Sequence, residues 1–297
     1  MLLKRQQVLL GFLDLLEPAV RQTDFQKLLL AFTREYETIP SYDFVPYHYG
    51  GFSFTSYADR RKLIEKGLLE PDEHCWRLTA EGRRQARKVA RDSARMTAFV
   101  CRYSMLRGNA LIVDQYRRYP YYASRSELLD KLPLEVDDLT RIAKARPKRH
   151  PAGLVTIGYE GRSLENYLNA VLKDGVTVLC DVRRNALSRK YGFSKGTLGK
   201  ACSGVSIRYE HLPELGIPSE ARRNLATQSD YDDLFAEYEN ESLPGQLQAL
   251  KKIAGWISAG DRVALTCYER LPEQCHRHCV AGALEQMGAA VEGVKHL

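Results

Sequence analysis

The chain lacks any uninterrupted apolar run long enough to span a bilayer, which takes about 20 residues as a helix. It also lacks a good export signal. Lys4, Arg5 and Asp14 interrupt the apolar N-terminal stretch, and no small-residue cleavage site follows. An amphipathic first helix is the expected reading, and the expected location is cytoplasmic, with no membrane partner. A disulfide framework is lacking too: seven cysteines are an odd number, scattered through 297 residues. Disulfide scaffolds are short and cysteine-dense, so reduced thiols are expected.

Basic residues are present in excess. Lys plus Arg outnumber Asp plus Glu by 7, and the sequence pI is near 9.0. The excess crowds the first half, in "RRKLIEKG", "EGRRQARKVARDSAR", "QYRRYPYYASR" and "KARPKRH". Clustered positive charge points to a polyanionic partner, with nucleic acid the leading class and a solvated basic face the bland alternative. The length suggests two domains, and the Pro- and Lys/Arg-rich stretch at 145–153 reads as the linker.

Residues 1–95 read as a mainly α, winged helix-turn-helix-like domain. Val8, Leu9, Phe12, Leu13 and Leu16 form a helical stripe, and Phe25, Leu28, Leu29 and Phe32 form a second. The aromatic stretch "YDFVPYHYGGFSFTS" predicts an ordered loop or short strand, with Ser53 or Thr55 capping a third helix that ends at Gly67. "LLEPDEHCWRLT" then predicts a hairpin, followed by a fourth helix. In such a module Arg60, Arg61 and Lys62 face a major groove, while Arg77, Arg83 and Arg84 touch phosphates of double-stranded DNA. Winged helices also serve protein contacts and dimerisation, so a homodimer stays open. Residues 96–150 form a basic helical segment and linker. Its interleaved Tyr and Arg suit either base stacking or core aromatics with snorkelling arginines.

Residues 151–297 read as an α/β domain with a Rossmann-like, mostly parallel sheet. "LVTI", "VTVLCDV" and "RVALTC" are continuous apolar strands alternating with helices. Ligands in such sheets bind beyond the C-terminal strand ends. Gly158, Tyr159, Asp181, Arg183, Cys267 and Glu269 occupy those ends, and they converge if the strands are neighbours.

"TIGYEGRSLENYL", "CDVRRNALSRKYGFSKGTL", "IRYEHLPELGIP" and "LTCYERLPEQCHRHCVA" resemble, in order, the motifs of the domain of unknown function 488 family, over about residues 153–297. The resemblance implies a Rossmann-like fold and, for some members, a role in DNA repair. It implies shared site residues at Gly158, Asp181, Arg183, Ser188, Arg189, Cys267, Glu269, Cys275, His276 and Arg277.

The densest cluster is "CYERLPEQCHRHCV", at 267–280. Zinc on Cys267, Cys275 and Cys279 is an alternative that lacks the spacing of two Cys-x2-Cys knuckles, so no metal or cofactor is expected. A helix starting near Glu273 would put Cys275 in a dipole field that favours its thiolate, with His276 beside it. The same helix start, with Arg183, Arg189 and Arg277, would bind an anion. Asp181 and Glu269 are the acid/base candidates. Three functions follow: a glycosylase-like hydrolase acting on modified or damaged DNA, a DNA-binding regulator that senses an anionic ligand, and a cysteine-based redox or sulfur enzyme.

Overall fold

The computed structural model describes residues 1–16, 19–90, 94–103, 105–222, 225–289 and 293–297. Residues 91–93, in one of the basic runs, and 290–292, in the C-terminal stretch "AAVEGVKHL", lie outside the described residues. The chain divides into two units, Met1–Arg146 and Pro147–Leu297. No helix among the described residues is long and apolar enough to cross a membrane.

The first unit is mainly helical. It runs α1 (Lys4–Leu15), β1 (Val20–Arg21), α2 (Gln22–Glu35), β2 (Val45–Tyr47), β3 (Gly50–Phe52), α3 (Phe54–Glu65), β4 (Cys75–Trp76), α4 (Ala80–Ala90), α5 (Ala94–Tyr103), α6 (Gly108–Arg118), α7 (Pro120–Ala123) and α8 (Val136–Ala145). The two expected apolar stripes become α1 and α2. Their Phe12 and Phe32 rings stack at 4.9 Å, and Phe25 stacks on Trp76 at 4.2 Å. The aromatic stretch closes as the antiparallel hairpin β2–β3. Ser53 caps α3, its hydroxyl accepting from the Ser56 amide at 3.2 Å. The expected wing hairpin is reduced to a bridge between Leu69 and Leu78, while β4 pairs antiparallel with β1.

The segment 96–146 packs into this unit. Phe99, Tyr103, Leu111 and Tyr122 join the core of α1 and α2. Tyr103 and Tyr119 both donate to Glu35 Oε1, at 2.6 and 2.7 Å, and Arg118 donates to the same oxygen at 3.1 Å. These tyrosines and this arginine therefore serve the core, the second of the two roles open to them.

One side chain in the core runs against burial rules. Lys27 of α2 is 2% exposed. Burial lowers its amine from 10.5 to about 7, with Asp24 opposing the shift. Because the folded value lies below the unfolded one, the unfolded chain binds the extra proton between about 7 and 10.5. Stability therefore rises with pH through that window, and the full penalty applies below it. Lys27→Met should stabilise the protein at pH 7 by on the order of 4 kcal/mol and flatten the rise. Urea unfolding at pH 7 and pH 9.5 measures both; an unchanged midpoint at pH 7 would refute a desolvated amine.

The second unit runs β5 (Gly153–Gly158), α9 (Leu164–Lys173), β6 (Val178–Asp181), α10 (Lys195–Gly204), β7 (Arg208–His211), α11 (Gln228–Glu237), α12 (Leu247–Ser258), β8 (Arg262–Cys267), α13 (Arg277–Gln286) and β9 (Lys295–His296). The strands form one parallel sheet in the order β7-β6-β8-β5-β9. Along each strand alternate side chains take opposite faces. Val178, Cys180, Val263 and Leu265 cluster with Leu250, Ile253, Val280 and Leu284 of α12 and α13. Val155, Ile157, Leu179 and Ala264 on the other parity are equally buried, so both faces are covered. Half-exposed β7 carries too little apolar signal to read as a strand from sequence.

Candidate functional site

The strand order decides the site. β8 lies between β6 and β5, with Gly158 opposite Cys267 and Asp181 opposite Thr266. The three apolar strands are neighbours, so their C-terminal ends meet as the topology rule requires. Gly158 permits the closest approach: a Cβ there would meet the Glu269 carbonyl oxygen at 1.9 Å. Only a glycine lets the loop after β8 fold over the end of β5.

The loop after β8 is held by a buried cation. Arg277, 1% exposed, donates to the carbonyl oxygens of Glu269 at 2.6 Å and Arg270 at 2.9 Å, and to Thr156 Oγ1 at 3.2 Å. To wrap this side chain the backbone makes one 3-10 turn at Pro272–Gln274 and an extended step at Cys275, and α13 begins only at Arg277. This corrects the sequence expectation in two ways. Cys275 lies before the helix rather than in its first turn, and Arg277 clamps the loop rather than binding an anion.

Asp181 is likewise committed. Fully buried, it accepts from Arg183 Nε at 2.8 Å, Arg183 Nη2 at 2.5 Å, the Arg183 amide at 3.2 Å and the Tyr209 hydroxyl at 2.6 Å. Arg183 also donates to the Tyr159 hydroxyl at 2.8 Å and the Phe193 carbonyl at 2.9 Å. Its guanidinium lies 5.0 Å from the Tyr159 ring, which stacks on Phe193 at 4.3 Å. A carboxylate saturated by four donors and shut off from solvent has no lone pair for general-base work. Asp181 is a positioning residue for Arg183.

Cys267, Glu269, His276 and Arg222 form a second cluster. Arg222 Nη1 donates to Glu269 Oε1 at 2.9 Å, and Nη2 donates to His276 Nδ1 at 2.5 Å. His276 Nε2 lies 2.9 Å from the Val182 carbonyl, which can only accept. The proton is therefore assigned to Nε2, leaving the Nδ1 lone pair towards Arg222 and towards Cys267 Sγ at 3.8 Å. Glu269 Oε2 is 3.4 Å from the same sulfur. Burial opposes a thiolate at Cys267, but the hydrogen bond with the Cys275 thiol and the Arg222 charge favour it, and the group is held well below the usual thiol range. Cys275 moves the other way, pushed well up by burial and by Cys267. The thiolate of the pair is thus Cys267, not Cys275. Burial and the Cys267 charge raise Glu269, with the Arg222 guanidinium opposing the shift.

Cys267, Glu269, His276 and Arg222 open on a cavity of about 260 Å³, lined also by Tyr159, Arg183, Arg184 and Tyr268. Ser188 and Arg189 are not among its lining residues. The Ser188 hydroxyl accepts from the Lys190 amide at 3.1 Å, and Arg189 is exposed. Arg222 and Tyr209 escaped the sequence reading. Arg222 sits in "PSEARRNLATQ" with no periodic or strand-end signal, and Tyr209 belongs to the strand that was not recognised.

The proposed zinc set is not assembled. Cys279 turns to His278, at 3.5 Å, and forms a separate group with His278 and Glu239. The Cys267 and Cys275 sulfurs and a His276 nitrogen do lie within 4.8 Å of one another. Both His276 nitrogens already have partners, however, and the cation beside the trio is a guanidinium. This donor set suits a thiolate better than a metal ion.

Residues 163–284 match the family model described as Domain of unknown function DUF488. The match runs from the start of α9 into α13, a narrower span than 153–297, so the β5 end with Gly158 and Tyr159 lies outside it. No curated protein and no solved structure matches the chain.

Alkylation of Cys267 by iodoacetamide should show a midpoint pH well below the value of about 8.5 for a free thiol. Arg222→Gln should raise that midpoint. Peptide mass spectrometry across pH reads both, and a midpoint at or above the free-thiol value would remove the thiolate assignment.

Proposed function

We propose that the DUF488 domain of this chain is a thiol-dependent redox or sulfur-transfer enzyme acting on a small anionic substrate that contains an S–S bond. The observation that carries this reading is the pairing of a cavity-lining, low-pKa Cys267 with a second sulfur, Cys275, inside the same 4.8 Å cluster. The Cys267 thiolate attacks one substrate sulfur. A new S–S bond to Cys267 forms as the old one breaks, and Glu269 gives its proton to the departing sulfur. Cys275, losing its proton to the carboxylate that Glu269 has become, then attacks Cys267 Sγ. A Cys267–Cys275 disulfide forms and the second substrate thiol leaves, so the substrate is reduced by two electrons and the cysteines are oxidised by two. An external dithiol resets the pair. Arg222, whose Nε is buried without a partner among the described residues, and exposed Arg184 supply positive charge for the anion.

Tetrathionate, a small dianion with S–S bonds, is the probe. It should convert the protein to a Cys267–Cys275 disulfide. Cys275→Ser should instead accumulate a mixed adduct on Cys267, and Cys267→Ser should leave Cys275 unmodified on the same timescale. An inert Cys267 in folded protein sinks the proposal. Base removal from damaged DNA is the weaker reading, because Asp181 is saturated.

A second reading concerns the first unit, as a winged helix on double-stranded DNA. It is favoured by Arg61 and Lys62, which are exposed on α3 and have no ion pair among the described residues. Other expected contacts are already engaged. Arg60 donates to the Asp72 and Cys75 carbonyls and lies over Trp76 at 5.4 Å. Arg77 pairs with Glu70 and Asp72, and Arg84 with Glu81. Arg83 is half-buried. Duplex binding measured over a salt series should weaken steeply with salt, and Arg61→Ala with Lys62→Ala should reduce the slope by about 1–2. No binding at low salt would make this unit a protein-docking module.

A further inference from the structure

The buried amine of Lys27 costs stability and serves no hydrogen bond or ion pair among the described residues. Its surroundings suggest what it is for. Lys27 lines a cavity of about 250 Å³ together with Gln22, Tyr47, Phe52 and Tyr57. Gly50 of the β2–β3 hairpin makes the room. It has φ +94°, and a Cβ there would lie 3.1 Å from Lys27 Nζ and 2.7 Å from the Tyr116 ring. The hairpin therefore carries a glycine at the point where it passes over the amine. Tyr47, Tyr49, Phe52 and Tyr57 supply aromatic walls, the Tyr57 hydroxyl donates to Gln22 Oε1 at 2.5 Å, and at the rim His48 pairs with Glu127.

We propose that this cavity is a covalent binding site for a small, uncharged aromatic aldehyde, captured as an imine on Lys27. The Nζ lone pair attacks the carbonyl carbon, and a proton passes from nitrogen to the carbonyl oxygen. The carbinolamine then expels water as the C=N bond forms. No oxidant or reductant is consumed, and the step reverses with water. Three observations favour an aldehyde over an anion. Desolvation keeps a large share of the amine neutral, and hence nucleophilic, near pH 7. Asp24, one turn earlier on α2, adds negative charge that would repel an anion. No guanidinium lines the cavity. The titratable groups around the cavity include Asp24 on the same helix, Tyr47, Tyr49 and His48 from the hairpin, with Glu127 paired to His48, Tyr57 from α3 and Tyr116 from α6. The volume lies below the range of about 300–1,000 Å³ for drug-sized ligands, which suits a single-ring compound. The site belongs to the first unit and does not depend on the Cys267 chemistry.

The test uses the full chain at pH 7 with benzaldehyde and cyanoborohydride, which reduces the imine to a stable secondary amine for peptide mass spectrometry. Lys27 should carry the adduct in at least about tenfold excess over any other lysine, since an ordinary lysine near 10.4 is almost wholly protonated at that pH. Lys27→Met, checked as folded by circular dichroism, should lose this adduct and keep only the slow background. Benzoate, the matching anion, should neither protect Lys27 nor raise the melting temperature. Adducts spread over surface lysines with Lys27 unmodified would overturn the proposal. So would stabilisation by benzoate with no benzaldehyde adduct, which would make the cavity an anion site.

Discussion

The second unit's chemistry depends on one buried guanidinium. Arg277 gathers the backbone oxygens of residues 269 and 270 and the hydroxyl of Thr156. That grip bends the chain after β8 into a short loop whose far end returns to its start. Without it, Glu269, Cys275 and His276 would have no reason to meet at Cys267. Gly158 is the complementary constraint, because it alone leaves space for the loop the guanidinium pulls in. A charge buried this deeply is a poor source of net stability, since its desolvation offsets most of what its partners return. Its value lies in geometry: a planar fork accepts few arrangements of carbonyl oxygens, so it selects one loop conformation from many.

The same logic governs Asp181 and Arg183. Both carboxylate oxygens are taken, the guanidinium is shared with Tyr159 and Phe193, and the ring stack of Tyr159 on Phe193 lies beside it. A rigid floor results under the cavity. Reactivity is left to groups with one face still free. Cys267 meets the cavity with a nitrogen lone pair and a raised carboxyl beside it. Environment has separated two cysteines, Cys267 with a lowered thiol and Cys275 with a raised one, and has set the raised Glu269 apart from the saturated Asp181, as differing burial and charge partners do.

In the first unit the contrast is between arginines that hold structure and a lysine that strains it. Arg60 and Arg118 reach carbonyls, carboxylates and rings, and their charge is compensated. Lys27 is buried without such compensation. A group that lowers stability persists where something other than folding retains it, and a cavity at its amine is the kind of setting in which such strain is used.

Much was legible along the chain. Continuous apolar strands, a Ser before "LENYLNAVLK" and a glycine after it determined the α/β character of residues 151–297. The helical stripes of residues 4–16 and 24–34 determined the first two helices. Those are local signals, set by the alternation of side chains along strands and helices. Gly158, Cys267 and Glu269 were recognisable because strand ends carry function in parallel sheets, and His276 because it lies in the dense Cys/His stretch at 267–280. Only the tertiary structure decided which of these residues act. Strand order put β8 in the middle, the clamp at Arg277 delayed α13 by two residues past Cys275, and Asp181 found four donors. Arg222 arrived from a loop that has no sequence signal, and it adds positive charge beside Cys267 and Glu269. Protonation and nucleophilicity depend on charges within a few ångströms, and those neighbours come from positions far apart in the chain, which no reading of local periodicity can bring together.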